Sequence, residues 1–262
     1  MAAEHMTREY TVYADESATG ERYLGFGALI ASSGAMARAE GSLKAFCNNN
    51  GFADRSVSWK SCSPGETGRY REFVSRFARL NTPRLQLDFR AMIVDTKRHP
   101  LKHPASRADT AEQGFYKFYY SFLSRSLKIV ATNPCQFKLV VGATTDQYRF
   151  RTDILENTVA GKLRSAFGVP LEMTSLERTD PRDSRCHQLA DLLLGAVTYR
   201  FNRSTRDPEG RSHKRAVHDA VRSLAGRDLD TDCLPAERPF NVWAWAPKGQ
   251  RRWAPGAGGV VR

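Results

Sequence analysis

Three aspartates stand in related settings along this chain: Asp15, Asp146 and Asp191. Asp15 follows Tyr10-Thr-Val-Tyr-Ala14, an aromatic and β-branched run that reads as a strand, and Glu16 follows it directly. Asp146 closes a second such run, Phe137 to Thr145, and Asp191 is embedded in Leu189-Ala190-Asp191-Leu192-Leu193-Leu194 on a helix. A carboxylate at the exit of an apolar strand, or among leucines, must find water, a cation or hydrogen-bond donors. Three carboxylates drawn together raise one another's pKa, because like charges disfavour joint ionisation. Hard divalent ions with oxygen ligands, Mg²⁺ or Mn²⁺, relieve that repulsion. Two such ions about 4 Å apart support in-line attack of water on a phosphodiester, one activating the water and the other stabilising the leaving oxygen. Plainer readings exist for each acid. Asp15-Glu16-Ser17-Ala-Thr-Gly20 is also a good polar turn, and Asp191 can be a solvent-facing acid on an amphipathic helix.

The elements that must bring these acids together follow from the pattern. After the strand over 10–14, Tyr23 to Ala31 forms a second strand through a short loop suited to an antiparallel hairpin. Gly25 and Gly27 at alternate positions leave one face open to a close neighbour. Helices are predicted over Ala35–Asn48 and from Ser63, with Ser63 as N-cap, Pro64 at the first helical position and Glu66 completing a capping box. A short extended piece, Ser56-Val-Ser-Trp59-Lys60, lies between them. Leu85 to Val94 alternates apolar with polar, so it reads as a third strand with Gln86, Asp88 and Arg90 on a partly exposed side, ending at Asp95. A helix over Thr110–Leu127, the strand ending at Asp146, a helix over Arg151–Phe167, a strand over Pro170–Leu176 and a helix over Ser184–Phe201 complete a β-α alternation. That alternation makes strands one, four and five a parallel set. Adjacent strands one and four then carry Asp15 and Asp146 to one end of the sheet, where open sheets form their sites. His187 and Gln188 share the face of Asp191 at helical spacing. Beyond a further helix over Ser212–Ala225, Phe240 to Trp245 offers an edge strand or a cover for a core face.

The chain has 262 residues, enough to bury a full core, and no linker or repeat divides it. We expect one domain over 8–245, a helical insertion over about 34–80, and a Gly-rich disordered tail over 246–262. Forty basic against 28 acidic residues give a net charge of +12 and a pI near 9.7, a balance that favours polyanions. The loop Thr96–Arg107 concentrates this charge in Lys97, Arg98, Lys102 and Arg107, so it is the expected track for a phosphate backbone, unless it is simply a solvated loop. No run reaches the ~18 apolar residues of a membrane span, and the N-terminus lacks a signal-peptide core; the expected localisation is cytoplasmic. Five cysteines, odd in number and without C-x-x-C spacing, indicate reduced thiols rather than disulfides or a zinc cluster.

Tyr13-Ala-Asp15-Glu16-Ser17, Val57-Ser-Trp59-Lys60, Phe89-Arg-Ala-Met-Ile-Val-Asp95 and above all Gln188-Leu-Ala-Asp191-Leu-Leu-Leu-Gly195 together resemble domain-of-unknown-function family 3800. The resemblance implies an α/β, ribonuclease H-like mixed sheet of about five strands, with one antiparallel hairpin pair, strands 1-4-5 parallel and helices on both faces. It also implies a divalent-metal-dependent nuclease, with Mg²⁺ or Mn²⁺ held by Asp15, Asp146 and Asp191 and nucleic acid as partner. In the wider fold a further acid comes from the helix between strands three and four, and Glu112 is the acid available there. Glu16 is a competing ligand, ranked below Asp15 because adjacent strand residues face opposite sides. Lys60 belongs to the Trp-x-Lys segment, but the acid that often precedes that segment in the family is replaced here by Arg55-Ser-Val-Ser. The competing expectation is a catalytically inactive module of the same fold that binds nucleic acid or a partner. An ATP-binding member of the superfamily is disfavoured, since Gln-Tyr-Arg-Phe follows Asp146 where a Gly-rich phosphate loop is needed.

Overall fold

A computed structural model of the chain describes residues 8–102, 110–128, 135–142, 171–206 and 212–247. Six strands form one sheet: β1 (Arg8–Ser17), β2 (Tyr23–Ser32), β3 (Asp88–Asp95), β4 (Cys135–Gly142), β5 (Leu171–Thr179) and β6 (Phe240–Ala244), in the order β5-β4-β1-β2-β3-β6. β2 runs antiparallel to β1 and β3, whereas β1–β4, β4–β5 and β3–β6 are parallel pairs. This is a mixed α/β sheet with the antiparallel hairpin and the parallel strands expected, and with a sixth strand beyond the five or so that the pattern implies. Phe240–Ala244 both pairs as an edge strand and buries Trp243 against Phe122 of the core. The expected helix over 151–167, Asp146, Arg107 and the tail over 248–262 lie outside the described residues.

Side chains alternate across the sheet and bury against different layers. On one face, α1 (Ser33–Asn49), α2 (Thr67–Leu80), α4 (Arg185–Arg206) and α5 (Ser212–Ala225) pack with Leu29, Phe89, Ala91 and Ile93. On the other, α3 (Ala111–Leu127) packs with Val12, Ala14, Phe26, Ile30 and Met92. The expected exposed side of β3 is absent: all eight of its residues are buried, because helices cover both faces and β6 pairs its outer edge. Arg90 meets this burial by donating to the carbonyls of Pro235 (3.1 Å) and Glu237 (3.4 Å), while Asp88 pairs with Arg238 at 2.5 Å.

The helix starts differ in one place from expectation. Ser32 caps α1 by accepting from the Ala35 amide at 3.3 Å. Ser63 caps nothing: Pro64–Glu66 forms a 3-10 turn and α2 begins at Thr67. The reason is competition for Glu66, which accepts from the Ser63 hydroxyl at 3.0 Å and from both terminal nitrogens of Arg55. The close neighbour foreseen over Gly25 and Gly27 is α4. A Cβ on Gly25 would lie 2.3 Å from Thr198 Cγ2, and one on Gly27 would lie 3.0 Å from Leu194 Cδ1. The two glycines therefore let the helix that carries Asp191 lie directly on the hairpin that carries Asp15.

Candidate active site

Asp15 pairs with Gly27 across the hairpin, so Tyr13, Asp15 and Ser17 share the sheet face on which α4 lies. Ser17 and Thr198 hydroxyls meet at 3.1 Å, and the Tyr13 ring lies 5.8 Å from that of His187. Asp191, one helical turn before Leu194, comes close enough for Asp15 to act on its titration. Burial first, then the charge of Asp15, push Asp191 up to about 7, against opposing effects of the Trp59 amide and of Lys214. Burial raises Asp15 to about 6, although its Oδ1 accepts from the Glu16 amide at 2.9 Å. Burial and the charge of Asp15 raise Glu16 to about 8. Glu16 pairs with Phe26 and so belongs to the α3 face, where its charge acts on Tyr119. All three acids are half-buried as whole residues.

None of these three carboxylates forms an ion pair with any described residue. Asp95, which closes β3 at the same end of the sheet, makes the contrast. Burial alone would raise it, but Arg22 donates to it from Nε (3.2 Å) and Nη2 (2.8 Å), and the Lys97 amide adds a bond at 3.1 Å. Its pKa is held below the ordinary carboxylate value. Asp95 is thus a satisfied structural acid, whereas Asp15 and Asp191 accept from backbone amides and form no ion pair among the described residues.

The segment 52–62 is fastened to α4 through one helix face. Gln188 Oε1 accepts from the Val57 amide at 3.0 Å, and Asp191 Oδ2 accepts from the Trp59 amide at 2.7 Å. At Gly195 a Cβ would stand 2.3 Å from the Trp59 ring, so the glycine is what lets the indole lie on the helix. Gln188, Asp191 and Gly195 fall at helical spacing on that face, which explains the grouping read in the sequence. Two residues the sequence reading missed complete the fastening. Arg185, buried one turn before Gln188, donates to the carbonyls of Phe52 (2.7 Å), Ala53 (2.8 Å) and Arg55 (2.7 Å) and to Gln188 Oε1 (2.8 Å). Glu40 of α1 accepts from the Arg185 and Cys186 amides (2.9 and 2.8 Å) and from the Ser184 hydroxyl (3.1 Å). A carboxylate at a helix N-terminus satisfies orphan amides and the helix dipole together. The only sequence signal for Arg185 was its position, three residues before Gln188 on the same face.

The remaining expected residues are spread more widely. His187 does not support Asp191; it is fully buried against Tyr13, and burial lowers its pKa to about 4. Lys60 is exposed in the turn after Trp59. Glu112 sits in the first turn of α3, against the sheet face opposite α4. Lys97, Arg98 and Lys102 are exposed after β3. All five cysteines are buried free thiols. Ala14 pairs with Val141, so β4 runs beside β1 to the level of Asp15, as strand order required. Among the described residues no three His, Cys, Asp or Glu side chains form a ready-made metal cluster. What they supply is a pair, Asp15 and Asp191, of hard oxygen donors, a donor set that fits Mg²⁺ or Mn²⁺.

No family model matches the chain, and no curated protein is significantly similar to it. Among solved structures it is similar to ribonuclease HII from Archaeoglobus fulgidus, in a complex with PCNA: 14% identity, 83% of this chain and 90% of that one, TM-score 0.41. It is also similar to ribonuclease H2 from Pyrococcus horikoshii OT3: 12% identity, 87% of this chain and 91% of that one, TM-score 0.44. No described helix is long and apolar enough to cross a membrane.

Proposed function

We propose that the chain is a divalent-metal-dependent nuclease that hydrolyses phosphodiester bonds in nucleic acid, with Asp15 and Asp191 as metal ligands and Asp146 as the third. The observation that carries this reading is the pair of half-buried carboxylates at the end of β1 and on α4, raised to about 6 and about 7 and without an ion pair among the described residues. Such charges call for a cation from outside the chain. A bound divalent ion supplies activation of the attacking water and charge stabilisation at the leaving oxygen. The chain's own residues hold and orient. The Trp59 amide fixes Asp191 through Oδ2, leaving Oδ1 to face a ligand. Glu16, raised to about 8 by burial and by the charge of Asp15, lies on the opposite face of the strand. The resemblance to family 3800 supports the same assignment. The second reading is an inactive module of the same fold that binds nucleic acid or a partner without cleaving it.

Asp191→Asn separates the two. Its amide oxygen still accepts from Trp59 and its volume is nearly unchanged, so the fold survives. In a thermal melt, Mn²⁺ should stabilise the wild-type chain, by about 2.7 kcal/mol at a hundred times the dissociation constant, and most of that gain should vanish in the variant. Metal binding should strengthen as pH rises through about 6 to 7, where Asp15 and Asp191 lose their protons. Cleavage of a polynucleotide should fall by more than the roughly 10–100-fold typical of losing a hydrogen-bond partner outside the ligands. An unchanged Mn²⁺ response and unchanged cleavage in Asp191→Asn would defeat the aspartate site. A wild type with a normal Mn²⁺ response but no cleavage leaves the binding module.

A further inference from the structure

At the end of the sheet away from the acids lies a cavity to which the nuclease reading gives no role. Its volume is about 430 Å³, within the range of small-molecule sites. Arg8, on its wall, opens β1, and at about 3.3 Å per residue some 23 Å of strand separates it from Asp15. Buried Ile30 and Ala31, near the end of β2, line the cavity with partly buried Tyr10 and Leu85. The charged side chains here are of two kinds. Arg238 is paired with the buried Asp88. Arg8, Arg84 and Glu9 are exposed and form no hydrogen bond or ion pair among the described residues. Single free charges are ordinary on a surface; these three converge on one concave, partly apolar place. The loop that brings Arg84 is also held in place. Asn81 Nδ2 donates to the Leu87 carbonyl at 2.6 Å, and the Leu85 and Gln86 amides donate to the Thr82 carbonyl at 3.1 and 3.0 Å. These bonds surround Gln86, which has a φ of +46°, a left-handed conformation uncommon outside glycine. A guanidinium offers paired donors to a phosphate, whereas a carboxylate only accepts. A ligand that satisfies Arg8, Arg84 and Glu9 together therefore has an anionic head, a hydrogen-bond donor, and a body that fits apolar side chains. A phosphate ion alone is far too small for the volume and brings no such body.

We propose that this cavity binds a nucleoside monophosphate with an amino-bearing base, its phosphate on Arg8 and Arg84 and its amine on Glu9. The site is separate from the acids and stands whether or not they hold a metal. Its ligand is a phosphate monoester, either a free nucleotide or the phosphorylated end of a strand. The test is calorimetric titration of adenosine monophosphate into the full chain in EDTA, so that no metal holds a phosphate at the acids. Wild type should bind it saturably, and should bind inorganic phosphate, adenosine and inosine monophosphate more weakly. Arg8→Met and Arg84→Met should each weaken binding roughly tenfold or more, as expected for a lost charge-assisted contact, while Asp191→Asn binds as wild type does. Should Arg84→Met fail to fold, Arg84→Lys keeps the charge, lacks the paired donors and should still bind more weakly. A 5′-phosphorylated dinucleotide that displaces the nucleotide, where its unphosphorylated form does not, makes a strand end the source; displacement by neither makes it the free nucleotide. A wild-type chain that does not bind adenosine monophosphate overturns the proposal, as does wild-type affinity in the folded arginine variants. Equal affinity for inosine monophosphate, or a matching loss in Asp191→Asn, overturns it too.

Discussion

His187 is sealed between α4 and the Tyr13 ring, and neither of its ring nitrogens has a hydrogen-bond partner among the described residues. Burial disfavours the charged imidazolium, so the ring is neutral in the folded chain and its pKa drops from 6.5 to about 4. The unfolded chain takes up a proton on this ring near pH 6.5, while the folded chain resists until about pH 4. The contribution to stability is therefore complete above about pH 6.5 and is lost as pH falls toward 4, by at most about 1.4 kcal/mol per pH unit. His187→Phe keeps a ring against Tyr13 and removes this titration. Its melting temperature, followed against wild type from pH 7 to pH 4, should gain steadily on the wild type as the medium is acidified. A constant difference between the two would mean that His187 is not the buried neutral ring described here. The comparison with wild type cancels the opposite trend from the raised carboxylates Asp15, Glu16 and Asp191, whose contribution to the metal-free fold is present at low pH and lost as pH rises through about 6 to 8.

Between elements, the site depends on a bracket built at the start of α4. Glu40 holds the helix N-terminus to α1, and Arg185 holds the carbonyls of Phe52, Ala53 and Arg55. Arg185→Met should leave three carbonyls without their charged donor, costing on the order of 3 kcal/mol or more. It should also free segment 52–62 and with it the Trp59 amide that orients Asp191. Denaturant unfolding should show a lower midpoint with an unchanged slope, and limited proteolysis should cut first within 52–62. Cutting elsewhere first would mean that the bracket does not hold that segment. The sequence made part of this legible. Gln188 and Asp191 share a helix face by spacing alone, and the glycines at 25 and 27 announced a close approach, though not by which element. Arg185 and Glu40 were not legible, because their partners lie more than a hundred residues away and neither residue breaks a local pattern. Two local patterns misled for the same reason. Alternation in β3 implied an exposed side, but a second helical layer and β6 bury Asp88 and Arg90. The Ser63–Glu66 spacing implied a capping box, but Arg55 captures the carboxylate.

At the scale of the whole molecule, the nuclease proposed above asks an acidic site to attract a polyanion, and the excess charge of +12 would reconcile the two. β1 and β3 run in the same direction, with β2 between them, so the loop after β3 leaves the sheet at the end where Asp15 lies, two strand spacings or about 10 Å to the side. Lys97, Arg98 and Lys102 are exposed on that loop. Its base rests mainly on other groups: Arg98 Nε lies 3.9 Å from Asp95, but the shorter bonds to Asp95 come from Arg22 and the Lys97 amide, and the Thr96 amide donates to the Arg22 carbonyl at 2.8 Å. Reversing the charge of all three should therefore leave the fold intact while removing attraction for a phosphate backbone. Every phosphate of duplex DNA that the loop no longer neutralises should flatten the log–log salt dependence of binding by about 0.9, and association should slow most at low salt, where steering is unscreened. A triple variant that keeps the wild-type slope and association rate would show that the backbone follows another path to the acids, and the loop would then be an ordinary solvated turn.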